Sequence, residues 1–155
     1  MSLSNRIMDS IINNDEDMIY YHIMMADLLN KTLIIYKLIK NDKFIIIENI
    51  INKMRIEHPG LQFNTIFYSI FITSLIFRKS TNIYNIIKNN NINIDSQVLS
   101  NFIYSTKVLF EILKFEKKYG YKFNLQNITP FMMSHHQFIF IMSIGCIFES
   151  NIIFI

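Results

Sequence analysis

The sequence predicts an all-α protein, and three observations lead to that prediction. Glycine and proline are scarce, with three and two copies in 155 residues, whereas sheets joined by tight turns normally need more of both. Apolar residues recur at the three- and four-residue spacing of one helix face. Helix breakers and caps divide the chain into segments of about ten to fourteen residues, which is the length of ordinary helices.

The helical spacing is clearest in three segments. In each segment, apolar side chains occupy positions i, i+3 and i+4, and polar side chains lie on the opposite face. Isoleucine is β-branched and common in strands, so the helix prediction depends on this spacing and on the scarcity of turn residues. The three apolar sets are Ile47-Ile50-Ile51-Met54, Ile83-Ile86-Ile87 and Leu109-Ile112-Leu113.

Polar and turn-forming residues indicate where the helices begin and end. His58-Pro59-Gly60 is the firmest stop, because proline lacks an amide donor and biases its predecessor away from helix. Gly120, after Tyr119, is placed to end a helix in the left-handed conformation. Side chains that can cap a helix or break it mark the other boundaries. These are Asn13-Asn14-Asp15, Asn30, Asn41-Asp42, Ser80-Thr81-Asn82, Asp95-Ser96 and Thr129-Pro130.

Composition and charge bound the class of protein. Hydrophobic residues make up 51% of the chain, which is ample for one core in one domain. Charged residues make up 17%. The excess of Ile, Asn, Lys and Phe is typical of an AT-rich genome. The formal charge of +3 is dispersed. Its densest cluster, Lys114, Lys117 and Lys118, is interrupted by Glu116, so no basic stripe for nucleic acid is expected.

The compartment is expected to be intracellular and cytoplasmic. A single cysteine, Cys146, excludes an internal disulfide and fits a reducing environment. The first residues lack the continuous apolar core and cleavage site of a signal peptide. Residues 138–155 are almost wholly apolar, but they carry Glu149 and no basic flank. A buried or frayed terminal helix is therefore favoured over a membrane anchor, and contact of this tail with a membrane stays the alternative.

No constellation of residues predicts catalysis, a metal site or a cofactor. His135 and His136 are adjacent, whereas one metal ion needs helical histidines at i and i+4. Cys146 lies among apolar neighbours, which make a thiol unreactive. The acidic run Asp15-Glu16-Asp17 is expected to stabilise the following helix by lying at the positive end of its dipole. No glycine-rich phosphate loop is present, so neither an enzyme nor a small-molecule substrate is expected.

Three parts of the chain share one layout, in which a helix with an apolar pair precedes a polar loop ending at asparagine and a further helix. The closing residues Asn64, Asn93 and Asn124 are about 30 residues apart, which is close to the repeat length of several helical-repeat families. The apolar pairs are Ile50-Ile51, Ile86-Ile87 and Ile112-Leu113.

This layout resembles the ankyrin-repeat family, whose unit of about 33 residues contains a turn and two antiparallel helices. In the last unit, residues 129–134 read Thr-Pro-Phe-Met-Met-Ser, which is similar to the family's Thr-Pro-Leu-His-x-Ala opening. The earlier units depart from it, because no proline follows Thr65 or Ser96. The resemblance implies stacked antiparallel helix pairs whose exposed surface binds another protein.

The expected organisation is one helical domain over residues 1–155. Residues 1–42 would cap the stack, 43–140 would form degenerate helix-pair repeats, and 141–155 would form an apolar tail. Tyr20, Tyr21, Ile23, Met24 and Met25 make the capping part unusually apolar. In such a stack the loops and first helices face the partner protein. The candidate partner-binding residues are therefore Gln62, Thr65, Tyr68, Gln97, Asn101 and Tyr104.

Two alternatives remain open. The apolar helical segments also resemble the Bcl-2-like apoptosis regulators of large DNA viruses, in which helices surround one apolar helix. The stretch Asp95-Ser96-Gln97-Val98-Leu99 is similar to the entry of their central helix, although the typical Gly-Arg dipeptide is absent. That resemblance implies a groove for an amphipathic partner helix. High hydrophobicity and low charge would also suit a structural subunit of a larger assembly.

Overall fold

The computed structural model describes residues 3–125, and within this range the chain forms eight α-helices and no strand. The predicted all-α class is confirmed for this range. No helix in it is both long and apolar enough to cross a membrane. The Thr129-Pro130 opening, His135, His136, Cys146 and the tail over 141–155 lie outside the described residues. The helices are α1 (Leu3–Ile12), α2 (Glu16–Met25), α3 (Leu28–Lys40), α4 (Phe44–Glu57), α5 (Leu61–Ile76), α6 (Ser80–Asn89), α7 (Ser96–Ser100) and α8 (Thr106–Tyr119).

Side-chain caps explain where four of the helices begin. Asp15, Asp27, Asp95 and Ser105 each accept a hydrogen bond from a backbone amide in the first turn of α2, α3, α7 and α8 respectively. Such a bond satisfies one of the amide groups that a helix N-terminus leaves without a partner. The predicted caps Asp15 and Asp95 are confirmed.

Two predicted helix starts are displaced. Asn30 lies inside the first turn of α3, because the carboxylate of Asp27 caps the helix three residues earlier and accepts the Asn30 amide at 2.9 Å. Helix α6 begins at Ser80 directly after Lys79, and none of the predicted capping side chains at 80–82 caps it. Its start is set instead by the left-handed conformation of Arg78 (φ 61°), which ends the preceding turn.

The predicted helix ends are confirmed. Helix α4 stops at Glu57, before Pro59 and Gly60. Helix α8 stops at Tyr119, and Gly120 takes the left-handed conformation with φ 77°. Glycine adopts such a φ without the steric cost that a side chain would bring.

Helix α5 lies at the centre of the core. Every residue from Ile66 to Leu75 is buried, including the polar Ser69, Thr73 and Ser74. The stretch is covered because α5 packs against α3, α4, α6 and α8. The ring of Phe71 meets that of Phe115 in α8 edge to face, with 5.0 Å between centroids. One continuous cluster of buried side chains runs from Ile7 in α1 to Leu125.

The helices pack in the order in which they occur in the chain. From α1 to α4, each helix contacts the next helix and the one after it, while α5 contacts α6 and α8. This places α1, α3 and α5 in one row and α2, α4 and α6 in a second row beside it.

One turn recurs between the rows. Asn14, Asp42 and Arg78 have φ values of 55°, 56° and 61°, and they join α1 to α2, α3 to α4 and α5 to α6. In each turn, the amide of the following residue donates to the carbonyl five residues before it, at 2.8–2.9 Å. This is the hydrogen bond of the Schellman helix end.

A second series of residues with positive φ follows α4, α6 and α8, although none follows α2. Gly60, Asn91 and Gly120 have positive φ after α4, α6 and α8, and they are about 30 residues apart, close to the length of one helix-pair unit. Both series arise from glycine, asparagine or aspartate, which tolerate this conformation, except at Arg78.

The predicted apolar pairs, and the apolar residues of the N-terminal part expected to cap the stack, are only partly buried. Both members of Ile50-Ile51 and Ile86-Ile87 are buried, and so is Ile112, but Leu113 is 47% exposed. In α2, Tyr20 and Ile23 belong to the core, whereas Tyr21 and Met25 are exposed. The outer surface of the N-terminal helices is therefore apolar at these two positions.

Candidate functional site

A surface groove of about 320 Å³ lies where α2, α3, α4 and α5 meet. The short connection from α2 to α3 and the Pro59-Gly60 connection from α4 to α5 lie at this end of the helices. The groove is lined by Met24, Leu28, Lys31, Met54, Leu61, Gln62, Thr65 and Ile66.

The groove has an apolar floor and a mixed rim. Met54 and Ile66 are buried in the floor, and Leu61 at the rim is 70% exposed. Two further side chains, Met24 and Leu28, are partly buried and pack against the core. A concave apolar surface with a few polar groups is the usual form of a binding site.

Three polar side chains line the groove. Among the residues the structure describes, Lys31 is the one cation in the lining. Gln62 is exposed, so its amide is accessible for hydrogen bonds with a bound molecule. The Thr65 hydroxyl donates to the Leu61 carbonyl at 2.9 Å within α5. The described part of the lining therefore offers one positive group, one accessible amide and one hydroxyl already engaged as a donor.

The structure brings together two of the six candidate partner-binding residues. Gln62 and Thr65 both line the groove. Gln97 and Asn101 are exposed on α7 and at its C-cap, and they do not line it.

Tyr68 and Tyr104 are core residues, which corrects the expectation that they face a partner. Their relative exposures are 2% and 8%. Tyr68 accepts a hydrogen bond from the Asp95 amide at 2.9 Å, and its ring stacks on Phe102 with 5.4 Å between centroids. For Tyr68 the reason is that every residue of α5 from Ile66 to Leu75 is buried, so no residue of that stretch presents a side chain to solvent.

Burial also sets the ionisation of these two tyrosines. Burial raises the pKa of Tyr68 above its ordinary value, although the hydrogen bond from the Asp95 amide acts in the opposite direction. Burial alone raises the pKa of Tyr104. Both hydroxyls therefore stay protonated in the neutral range, and their contribution is to the packing of the core.

The acidic run at the start of α2 is engaged with protein groups. Asp15 accepts the Met18 amide at 3.3 Å, and Glu16 accepts the side-chain amide of Asn49 in α4 at 2.7 Å. Within residues 3–125, no group of three histidine, cysteine, aspartate or glutamate side chains is placed to hold a metal ion. The run thus caps one helix and links it to another.

Sequence reasoning missed most of the groove. Leu61 carried a usable signal, since it is a large apolar residue directly after the Pro59-Gly60 stop, where a helix start is normally solvated. Met24 and Leu28 carried none. They approach Leu61 only because α2 and α3 pack beside α4 and α5, and spacing along the chain does not reveal which helices are neighbours.

Comparison of the chain with protein-family models, curated proteins and solved structures finds no match in any of the three. What the groove can bind is therefore inferred from its lining alone. The lining provides an apolar floor, the exposed Leu61 at the rim, and Lys31 and Gln62 as polar contacts.

Proposed function

We propose that this chain is a non-catalytic protein-interaction module of helical-repeat type, built as a degenerate ankyrin-like stack of helix pairs. The observation that carries the proposal is the recurrence of one turn, with Asn14, Asp42 and Arg78 left-handed in successive helix pairs. The packing of each helix on the next and next but one supports it. In such a stack, each pair buries its apolar stripe only against its neighbours, and the remaining surface is available for binding.

The groove between α2 and α5 is the proposed contact surface. Its lining is mostly apolar, and its two methionine side chains, Met24 and Met54, can adapt to the shape of a bound segment. Because Lys31 is the single charged residue in the lining over the described range 3–125, the bound segment would be largely apolar with one carboxylate or carbonyl for that ammonium group. Gln62 would orient the segment by a hydrogen bond to its backbone.

A charge placed at the groove rim tests this assignment. Short peptides selected by display against the full chain would be titrated against the wild type and Leu61→Glu by fluorescence anisotropy. We expect affinity to fall by about tenfold or more, because the glutamate would be desolvated against an apolar ligand. Leu61 is 70% exposed and begins α5, so the fold should tolerate the change.

The matched control is Ile45→Glu. Ile45 is 79% exposed near the start of α4 and does not line the groove. Unchanged affinity in Ile45→Glu together with weakened affinity in Leu61→Glu supports the assignment. Equal affinity in the wild type and Leu61→Glu would remove the groove from the contact surface.

A Bcl-2-like groove binder remains the second candidate, because α5 is buried along most of its length and contacts α3, α4, α6 and α8. The segment likened to the entry of the central helix, however, forms the five-residue helix α7. Titration with an amphipathic pro-apoptotic helical peptide separates the candidates. Binding that Leu61→Glu abolishes favours the second candidate, and no binding up to roughly 100 µM eliminates it. Insolubility of the chain expressed alone would favour a structural subunit.

A further inference from the structure

Four cationic side chains lie together at the end of the helices remote from the groove. Lys40 and Lys43 flank the turn between α3 and α4, and Arg78 and Lys79 form the turn between α5 and α6. We call these four residues the basic surface. Along α5 it lies roughly 25 Å from Leu61 at the groove, given the rise of a helix per residue.

Two contacts bring the turns together. The ammonium group of Lys79 lies 2.6 Å from the carboxylate of Asp42. One helical turn further in, the rings of Tyr36 and Phe77 meet with 5.2 Å between centroids. Lys40 lies over the Tyr36 ring, with its Nζ 5.7 Å from the centroid. The two pairs of cations are therefore neighbours in space although more than thirty residues separate them in the chain.

The basic surface has a strong local excess of positive charge. Asp42 is the carboxylate between its cations, so four positive charges and one negative charge leave a net charge of three, as large as that of the whole chain. Lys40 and Arg78 are exposed, and within the described residues neither forms an ion pair. On one side the surface is bounded by the acidic run 15–17, since Lys43 donates to the Asn14 side chain at 2.9 Å.

Stability of the fold accounts for only part of this cluster. Cations near the C-terminal ends of α3 and α5 interact favourably with the helix dipole. This interaction explains the positions of Lys40 and Arg78. Lys43 and Lys79, however, are the N-cap residues of α4 and α6, where positive charge is unfavourable and neither side chain caps the helix. Each makes one exposed contact with the preceding turn, to Asn14 and Asp42 respectively, and such contacts contribute little to stability. Arg78 also has φ 61°, a conformation that glycine or asparagine adopts at lower cost.

We propose that the basic surface binds a short acidic peptide segment of a partner protein. Two helix turns side by side span about 10 Å, which matches a few consecutive carboxylates. Nucleic acid would require a longer stripe of phosphate contacts. The neighbouring acidic run 15–17 would repel both nucleic acid and an anionic lipid surface, whereas a short peptide can end before it.

The test uses an octaglutamate peptide and the full chain at low ionic strength. Fluorescence anisotropy would compare the wild type with the double variant Lys40→Gln and Arg78→Gln. These side chains are exposed and unpaired with any carboxylate of the described residues, so their loss should leave the fold intact. We expect the affinity for the peptide to fall by about tenfold in the double variant and the wild-type affinity to fall as salt is added.

The control is the double variant Lys88→Gln and Lys117→Gln, which removes the same charge from exposed positions on α6 and α8. An affinity within twofold of wild type in this control supports a localised surface, whereas an equal loss in both double variants would overturn it. Two further ligands, single-stranded DNA of matched charge and phosphatidylserine vesicles, would be titrated in the same way. The acidic-peptide assignment would be overturned if either one bound more tightly than the peptide and lost affinity equally in the Lys40→Gln and Arg78→Gln double variant. Self-association of the chain that is lost when Asp15, Glu16 and Asp17 are made amides would also overturn it.

Discussion

The ammonium group of Lys79 lies 2.6 Å from the carboxylate of Asp42, and this pair joins two successive turns of the same kind. Lys43 makes the equivalent contact one turn earlier, donating to the side chain of Asn14 at 2.9 Å. In both cases a lysine at the N-cap of a second-row helix reaches the left-handed residue of the preceding turn. The contacts therefore link each helix pair to the one before it.

The Lys79–Asp42 pair should contribute little to stability. Their side chains are 30% and 62% exposed, so solvent screens the attraction. A double-mutant cycle with Asp42→Asn and Lys79→Met should give a coupling of about 0.5 kcal/mol in urea unfolding, decreasing in high salt. Asparagine at 42 tolerates the left-handed φ of 56°, so the cycle isolates the charge. A coupling above about 2 kcal/mol would contradict the solvated pair described here.

Arg78→Gly should stabilise the protein. At φ 61°, arginine adopts a conformation that glycine reaches without steric cost. We expect the free energy of unfolding to rise by about 0.5 kcal/mol, after the greater flexibility of glycine in the unfolded chain is deducted. Asn91→Gly is the control, because Asn91 at φ 50° already tolerates the region, and its gain should be smaller. Destabilisation by Arg78→Gly would indicate that the side chain supports the turn.

Ile112 and Leu113 should differ in their contribution to the core. Ile112 is fully buried and Leu113 is 47% exposed. We expect Ile112→Ala to lower the free energy of unfolding by about 3 kcal/mol through the lost contacts and the cavity. Leu113→Ala, its matched control, should cost less than about 1 kcal/mol. Chemical denaturation measures both free energies. Similar losses in the two variants would mean that α8 is rotated about its axis and buries a different face.

Alkaline pH should destabilise the fold. Burial raises the pKa of Tyr68 and Tyr104 above 10.0 in the folded chain. Above about pH 10 the unfolded chain releases these protons while the folded chain retains them, so stability present below that pH is lost as pH rises. Tyr104→Phe should make the decline of unfolding free energy with pH shallower. Tyr21→Phe, at a ring that is 56% exposed, serves as the control, and an identical slope in both variants would contradict the burial of Tyr104.

The helical class and most helix boundaries could be predicted from the sequence because they depend on local chemistry. Asp15, Asp95 and Gly120 act through hydrogen bonds or dihedral angles within a few residues of themselves. The start of α6 was predicted less well, since polar residues at 80–82 resemble caps while the preceding turn decides where the helix begins.

The candidate site was less predictable, because it depends on which helices are neighbours. Tyr68 was expected at the surface, but α5 is buried on every side from Ile66 to Leu75, and the mix of apolar and small polar residues there gives no periodic signal of an exposed face. The basic surface was missed for a related reason. Lys40 and Arg78 are distant in the chain, whereas Lys114, Lys117 and Lys118 are close in the chain but lie along the single helix α8.

Crosslinking of the turns tests the stacked order of the helix pairs most directly. In a Cys146→Ser background, cysteine pairs would be treated with a bismaleimide that spans about 10 Å, the distance between adjacent packed helices. The pairs 14/43 and 42/79 join successive turns, and the pair 14/79 skips one. A stack predicts efficient crosslinking of the first two pairs and little of the third. Equal crosslinking of all three would place the turns around a common centre and contradict the stack.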